Sequence, residues 1–305
     1  MDRANEMIHA DWAHQRGING AGVTAAVLDT GCRFDHPDFW NERKQSRILA
    51  FHDFVYGKTD CYDDAGHGTH VAGILGGNGA LSRGRYMGVA PECNLVILKV
   101  LDYMGRGEIP AMLQALEWIR ENQKKYHIRI VNISVGTRGI ADGGEHSGLV
   151  RGVEKIWDAG IVVVAAAGNQ GPDPGSIGSP GISRKIITVG ASDDDVPIQV
   201  NGKKIKDYSG CGPTRYCICK PDLVAPGSGI VSCGPNGYQI KSGTSMSTPM
   251  VSGAVALLLS RYPQMDTRAV KIRLKNSCVP LARPRGKQGW GILDVREMLR
   301  GNSSG

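Results

Sequence analysis

The 305-residue chain has no apolar run approaching the roughly 18 residues of a membrane-spanning helix, and its start, Met1-Asp2-Arg3-Ala4-Asn5-Glu6, carries no apolar signal region. No membrane partner is expected, and the chain reads as cytosolic. Cysteine is sparse. The eight residues at 32, 61, 93, 211, 217, 219, 233 and 278 are too few for a stapled secreted scaffold and are expected as free thiols. The net charge of +7 is scattered over sites such as Lys124-Lys125, Lys203-Lys204 and Arg283-Pro284-Arg285-Gly286-Lys287, with no continuous basic block interleaved with aromatics, which argues against nucleic acid. The 42 glycines lack the G-X-Y period of a collagen, so they mark tight loops where backbone approaches backbone or ligand. There is no internal repeat, no low-complexity linker and no composition shift to mark a boundary. A hydrophobic content of 41% suffices for a sizeable core.

What is present begins with Ser242-Gly243-Thr244-Ser245-Met246-Ser247-Thr248-Pro249, followed by Met250, Val251 and Ala254 to Leu259, interrupted only by small residues. Such a stretch is a helix buried on most faces. A serine in its first turn sits in a positive local field. Taken alone, Ser245 or Thr244 is more readily read as a helix cap.

Upstream, Val23 to Leu28, Leu95 to Leu101, Ile128 to Ile133, Ile161 to Ala166 and Ile186 to Val189 read as buried strands. Val71 to Leu75, Ile109 to Tyr126 and Leu149 to Ala159 between them read as helices, and a first helix covers about Asn5 to Arg16. The alternation predicts an α/β fold with a mostly parallel sheet, helices on both faces and right-handed crossovers. Ligands then bind outside the carboxyl ends of the strands, where Asp29, Ser134 and Asn169 fall.

Asp29 follows its strand in Val27-Leu28-Asp29-Thr30-Gly31, where a strand-end turn explains it about as well as a fixed carboxylate does. His67 stands in Asp63-Asp64-Ala65-Gly66-His67-Gly68-Thr69-His70. A helix opening there would depress its pKa and favour the neutral imidazole that a general base requires. The His67-x-x-His70 spacing lacks the intervening Glu and third ligand of a catalytic metal site. Asn169 ends Ala165-Ala166-Ala167-Gly168-Asn169. Together, an Asp, a His, an amide and a Ser, each in a glycine-flanked segment at a strand end or helix start, form the inventory for acyl transfer.

Asp29-Thr30-Gly31, His67-Gly68-Thr69-His70-Val71-Ala72-Gly73 and Gly243-Thr244-Ser245-Met246-Ser247 resemble, in order, the three active-site signatures of the subtilisin-like serine peptidases. Gly88-Val89-Ala90-Pro91, Asn132-Ile133-Ser134-Val135-Gly136 and Lys220 to Gly227 extend the likeness over about residues 10 to 295. The resemblance implies one three-layer subtilisin-like domain over 1–305. It also implies a serine endopeptidase with a catalytic triad of Asp29, His67 and Ser245 and no cofactor for catalysis. Its oxyanion hole would use the Asn169 amide and the Ser245 N–H, supported by the Thr244 hydroxyl. Peptide or protein substrates would lie between Ser134-Val135-Gly136 and Gly105-Arg106-Gly107 as an added strand. The residue before the cleaved bond would enter a pocket of Ala166, Ala167, Gly168 and Gly178, with large apolar side chains preferred. Gln170 stands where some relatives carry an acid, which disfavours basic side chains. A catalytically silent binder is the competing reading, whereas an esterase with a G-x-S-x-G elbow is opposed by both motif and chain order.

The chain departs from many relatives in starting close to its first helix, with no prodomain apparent. In this it resembles intracellular bacterial subtilisins, which implies protein turnover by a monomer or homodimer. Gly76 to Tyr86 lacks the pattern of the family's calcium loop although Asp38 is present, so structural calcium is allowed but not assignable. Cys211, Cys217 and Cys219, with Cys233 nearby, could gather around a metal, although their spacing matches no zinc knuckle and plain thiols are the simpler expectation. Cys32, three residues beyond Asp29, would make the enzyme sensitive to thiol reagents.

Overall fold

Helices α1 (Asp2–Met7) and α2 (Ala10–His14) precede β1 (Thr24–Asp29) and β2 (Ile48–Asp53); α3 (His67–Gly76), β3 (Asn94–Lys99), α4 (Ile109–Tyr126) and β4 (Ile128–Ile133) follow. Next come α5 (Gly148–Asp158), β5 (Val162–Ala166), β6 (Ile187–Ala191), β7 (Ile198–Val200), β8 (Lys203–Ile205) and β9 (Leu223–Ala225). The chain ends with β10 (Ile230–Gly234), β11 (Gly237–Lys241), α6 (Thr244–Arg261), α7 (Thr267–Ser277), α8 (Arg285–Gln288) and α9 (Val295–Arg300). The computed structural model describes residues 1–136, 144–200 and 203–300.

Seven strands form one parallel sheet in the order β2-β3-β1-β4-β5-β6-β9. The central β1 is buried at every position, as its unbroken apolar sequence requires of a strand covered on both faces. Helices α4 and α5 pack together against the sheet, and α3 and α6 form the other helical pair against it. These two pairs supply the two outer layers. Both β2-α3-β3 and β4-α5-β5 step the same way across the sheet, yet their helices belong to opposite layers. The two crossovers therefore differ in hand, and the uniformly right-handed winding expected from the alternation does not hold.

The expected first helix is two. His9 adopts a left-handed conformation, φ 54°, because tertiary contacts claim this point: Val295 N–H donates to the Ile8 carbonyl (2.8 Å) and His9 Nδ1 meets Asp294 Oδ2 (2.9 Å). Two sheet strands had no sequence expectation. Edge strand β2 is only partly buried, and β9 is three residues long between Pro221 and Pro226, so neither shows an extended apolar run.

Candidate active site

The carboxyl ends of β1, β4 and β5 and the N-termini of α3 and α6 meet at one edge of the sheet. There a cleft of about 490 Å³ is bordered by His67, Ser134, Gly168, Asn169, Thr244 and Ser245. Asp29, fully buried, closes β1. Its Oδ1 accepts the Thr30 N–H (2.8 Å) and contacts His67 Nδ1 at 2.7 Å. Nδ1–H is thus the donor and Nε2 the free ring nitrogen. Burial alone disfavours the imidazolium, but the charge and hydrogen bond of Asp29 outweigh it, so the His67 pKa lies above the ordinary value. The expected depression by the α3 terminus is overturned, because a full charge in contact exceeds a helix-end partial charge.

Sequence reasoning missed the carboxylate that shapes this turn. Asp63 Oδ1 accepts from Thr30 Oγ1 (2.8 Å), Ala65 N (3.1 Å) and Gly66 N (2.8 Å), while Oδ2 accepts from the Thr69 N–H (2.8 Å) and hydroxyl (2.6 Å). Burial opposes its charge, yet these donors hold its pKa below the usual value. Its place four residues before His67 in a glycine-rich run was the available signal. Lys99, also missed and fully buried, donates to the carbonyls of Thr30 and Leu101 (2.8 Å each) and to Asp64 Oδ1 (2.7 Å). It ties the end of β3 to the same turn. Gly68 is required by close approach, since a Cβ there would lie 2.1 Å from the Gly31 carbonyl oxygen.

Ser245 opens the first turn of α6, whose leading N–H groups lack helical acceptors. Its hydroxyl donates to the Ser134 carbonyl at 2.7 Å rather than to His67, a parked state that a side-chain rotation would release. Asn169 Oδ1 accepts both the Thr244 N–H and the Thr244 hydroxyl, each at 3.0 Å. With Oδ1 so committed, Nδ2 is the end left to the cleft. The buried Thr244 hydroxyl, expected as a supporting group, donates to Asn169 and positions its amide. Behind them, Ser252 Oγ donates to Asn132 Oδ1 (2.8 Å) and Asn132 Nδ2 to Ser134 Oγ (2.9 Å), docking α6 onto the end of β4.

The two expected substrate edges flank the cleft and a second hollow of about 290 Å³ that shares Leu101, Gly105, Val135 and Gly136 with it. Among the described residues no backbone hydrogen bond engages Val135 or Gly136. Arg106 borders the second hollow, and its N–H donates to Asp102 Oδ1 (2.9 Å) while its carbonyl accepts from Asp102 N (2.8 Å). Gly105 borders both hollows and Gly107 the second. Ala166, Gly168 and Gln170 face the cleft. Ala167 instead packs with Val150, Ile177 and Ile182, because neighbouring side chains leave a strand on opposite sides. Gly178 is buried behind Gly168, its N–H donating to the Ala167 carbonyl (2.8 Å).

His70 turns away from His67, its Nε2 lying 3.0 and 3.2 Å from the carbonyl oxygens of Ile230 and Gln239, and burial lowers its pKa to about 3. Cys32 is fully buried and burial raises its thiol pKa well above the ordinary value, so the expected reagent sensitivity has no accessible thiolate. Cys211 is buried whereas Cys217 and Cys219 are exposed, and these cysteines do not gather into a ligand cluster among the described residues. The residues around Asp38 do not fit calcium. Its carboxylate accepts from Leu81 N (3.0 Å), Tyr238 Oη (2.9 Å) and Cys233 Sγ (3.5 Å). The nearby Gly76 and Gly79 carbonyls are already used by Arg47, and by Ser82 and Gly84. A calcium ion would need six to eight oxygen ligands.

Comparison with known proteins shows the family. Residues 20–291 match the model of the subtilase family. The chain is 42% identical over 297 residues to serine protease AprX of Bacillus subtilis, covering 90% of this chain and 66% of that protein. It is 33% identical to subtilisin DY of Bacillus licheniformis, covering 95% of each. A crystal structure of a cold-adapted subtilisin-like serine proteinase superposes with a TM-score of 0.72 at 30% identity, covering 91% of this chain and 90% of that one. The chain belongs to the subtilase family and is a subtilisin-like serine endopeptidase.

Proposed function

We propose that this endopeptidase works through Ser245 as nucleophile, His67 as general base and Asp29 as the group that orients and stabilises the imidazolium. The observation that carries this reading is the 2.7 Å Asp29–His67 hydrogen bond on the wall of the cleft that also holds Ser245 and Asn169. On substrate binding the Ser245 hydroxyl leaves the Ser134 carbonyl. As its oxygen bonds to the scissile carbonyl carbon, its proton passes to His67 Nε2. The oxyanion is met by Asn169 Nδ2 and the Ser245 N–H. His67 then gives the proton to the amine nitrogen as the C–N bond breaks, and water repeats the sequence on the acyl-enzyme.

The small floor residues Ala166 and Gly168 support a preference for a large apolar side chain before the cleaved bond, with Val135 and Gly136 offering main-chain pairing to an extended peptide. The eight free cysteines support a reducing, cytoplasmic setting and a role in general protein turnover. A fluorophosphonate probe is expected to label Ser245 in the native chain, to fail in Ser245→Ala and to react far more slowly in His67→Ala. Peptide hydrolysis should fall by several orders of magnitude in Ser245→Ala with an unchanged circular dichroism spectrum. Undiminished hydrolysis by that folded variant overturns the assignment, and faster cleavage after Lys than after Phe or Leu overturns the specificity.

A further inference from the structure

Beside α3, three ligating side chains converge that the proposed mechanism does not use. His36, Asp38 and Cys233 are all buried, and among the described residues they form the one set of three whose ligand atoms all lie within 4.8 Å of one another. His36 Nδ1 is 3.8 Å from Asp38 Oδ1, and Cys233 Sγ is 3.5 Å from Asp38 Oδ2. A tetrahedral ion bound at about 2.0 Å to nitrogen and oxygen and about 2.3 Å to sulfur spaces its ligands by roughly 3.3 to 3.6 Å. Small side-chain shifts bring these three onto one centre.

The surroundings supply the outer shell that such a centre needs. His36 Nε2 lies 2.9 Å from the Gly237 carbonyl oxygen, so Nε2–H donates there, and Nδ1 accepts the Asp38 N–H at 3.2 Å, a hydrogen bond that metal ligation replaces. Tyr238 Oη and the Leu81 N–H orient the carboxylate. A hollow of about 110 Å³, bordered by Arg33, Asp35, Leu81, Pro235 and Gly237, adjoins His36.

We infer that His36 Nδ1, Asp38 and Cys233 Sγ form a structural site for a borderline-soft divalent ion of the zinc class, with water from the adjoining hollow in the fourth position. Binding breaks the Cys233 S–H bond; the proton passes to solvent and the thiolate sulfur bonds to the metal. Sulfur and imidazole ligands select zinc or cobalt over calcium and magnesium, which demand oxygen. The ion clamps the β10–β11 hairpin, which carries Cys233 and Gly237, to the Pro37–Phe39 turn. Because β11 ends two residues before Gly243, the clamp bears on the strand that leads into the nucleophile turn.

Cobalt(II) titration of metal-stripped full chain, carrying Ser245→Ala to prevent autolysis, tests this directly. One equivalent is expected to give intense tetrahedral ligand-field bands and a thiolate-to-cobalt charge-transfer band, both bleached by zinc, and zinc should raise the melting temperature. Cys233→Ser should abolish the charge-transfer band and weaken zinc binding about 100-fold or more. Tyr238→Phe should keep the band while weakening binding about 10- to 100-fold. The inference is overturned if the folded parent shows no charge-transfer band, if calcium binds there more tightly than zinc, or if folded Cys233→Ser binds zinc as the parent does. Should Cys233→Ser not fold, unchanged zinc affinity in Tyr238→Phe overturns it equally.

Discussion

Asn169 turns one amide to two purposes: its oxygen is tied to Thr244, and its nitrogen is thereby aimed at the cleft. Thr244→Val removes the hydroxyl donor but keeps the N–H, so the amide loses one of two anchors. One neutral hydrogen bond contributes about 1 kcal/mol, which predicts a kcat lowered about 5- to 10-fold with KM unchanged in steady-state peptide hydrolysis. An equal change in KM alone would assign Thr244 to substrate contact instead. As the proposed general base, His67 is expected to set the pH dependence. Its pKa is raised when folded, and catalysis needs the neutral ring, so activity is lost on acidification through a midpoint above about 6.5. Asp29→Asn removes the charge that raises it. The acid limb of kcat/KM should then move to lower pH while the maximal rate falls.

At the scale of elements, the site depends on how α6 starts. Gly243 has φ 140°, and a Cβ there would meet Asn169 Nδ2 at 3.0 Å. Gly243→Ala therefore strains the backbone and pushes the amide from its seat at once. We expect a stability loss of about 1 to 3 kcal/mol by urea unfolding together with at least a tenfold loss of kcat. Full kcat in a destabilised variant would separate the turn from the chemistry. The same helix is tied to β4 through Ser252, Asn132 and Ser134, which fixes the start of α6 against the end of that strand.

At the scale of the whole molecule, His70 joins α3 to the β10–β11 hairpin as a neutral donor buried at a helix–sheet junction. Its folded pKa is about 3 against about 6.5 unfolded. The unfolded chain takes up the proton first, so this stability is complete above about pH 6.5 and is lost as pH falls toward 3, at up to about 1.4 kcal/mol per pH unit. In a Ser245→Ala background, His70→Asn should flatten the fall of the urea midpoint between pH 6.5 and 4, within the window set by those two values. An unchanged slope would place acid lability elsewhere.

Local pattern by itself determined the strands β1, β3, β4, β5 and β6, the helices α4 and α5, the buried run of α6, and the segments bearing Asp29, His67, Asn169 and Ser245. Each is written in contiguous residues, as an apolar run or a glycine-flanked polar residue at its end. Tertiary structure alone decided the break at His9, the short strands β2 and β9, the opposite hands of two crossovers and the inward turn of Ala167. It also decided that Arg106 pairs with Asp102, that Asp63 and Lys99 hold the turn beside His67, and that Cys233 stands beside His36 and Asp38 rather than with Cys211. These outcomes join residues as far apart as Asp38 and Cys233. Hydrogen bonds and burial between such partners exist only once the sheet has brought them together, and no periodicity along the chain encodes them.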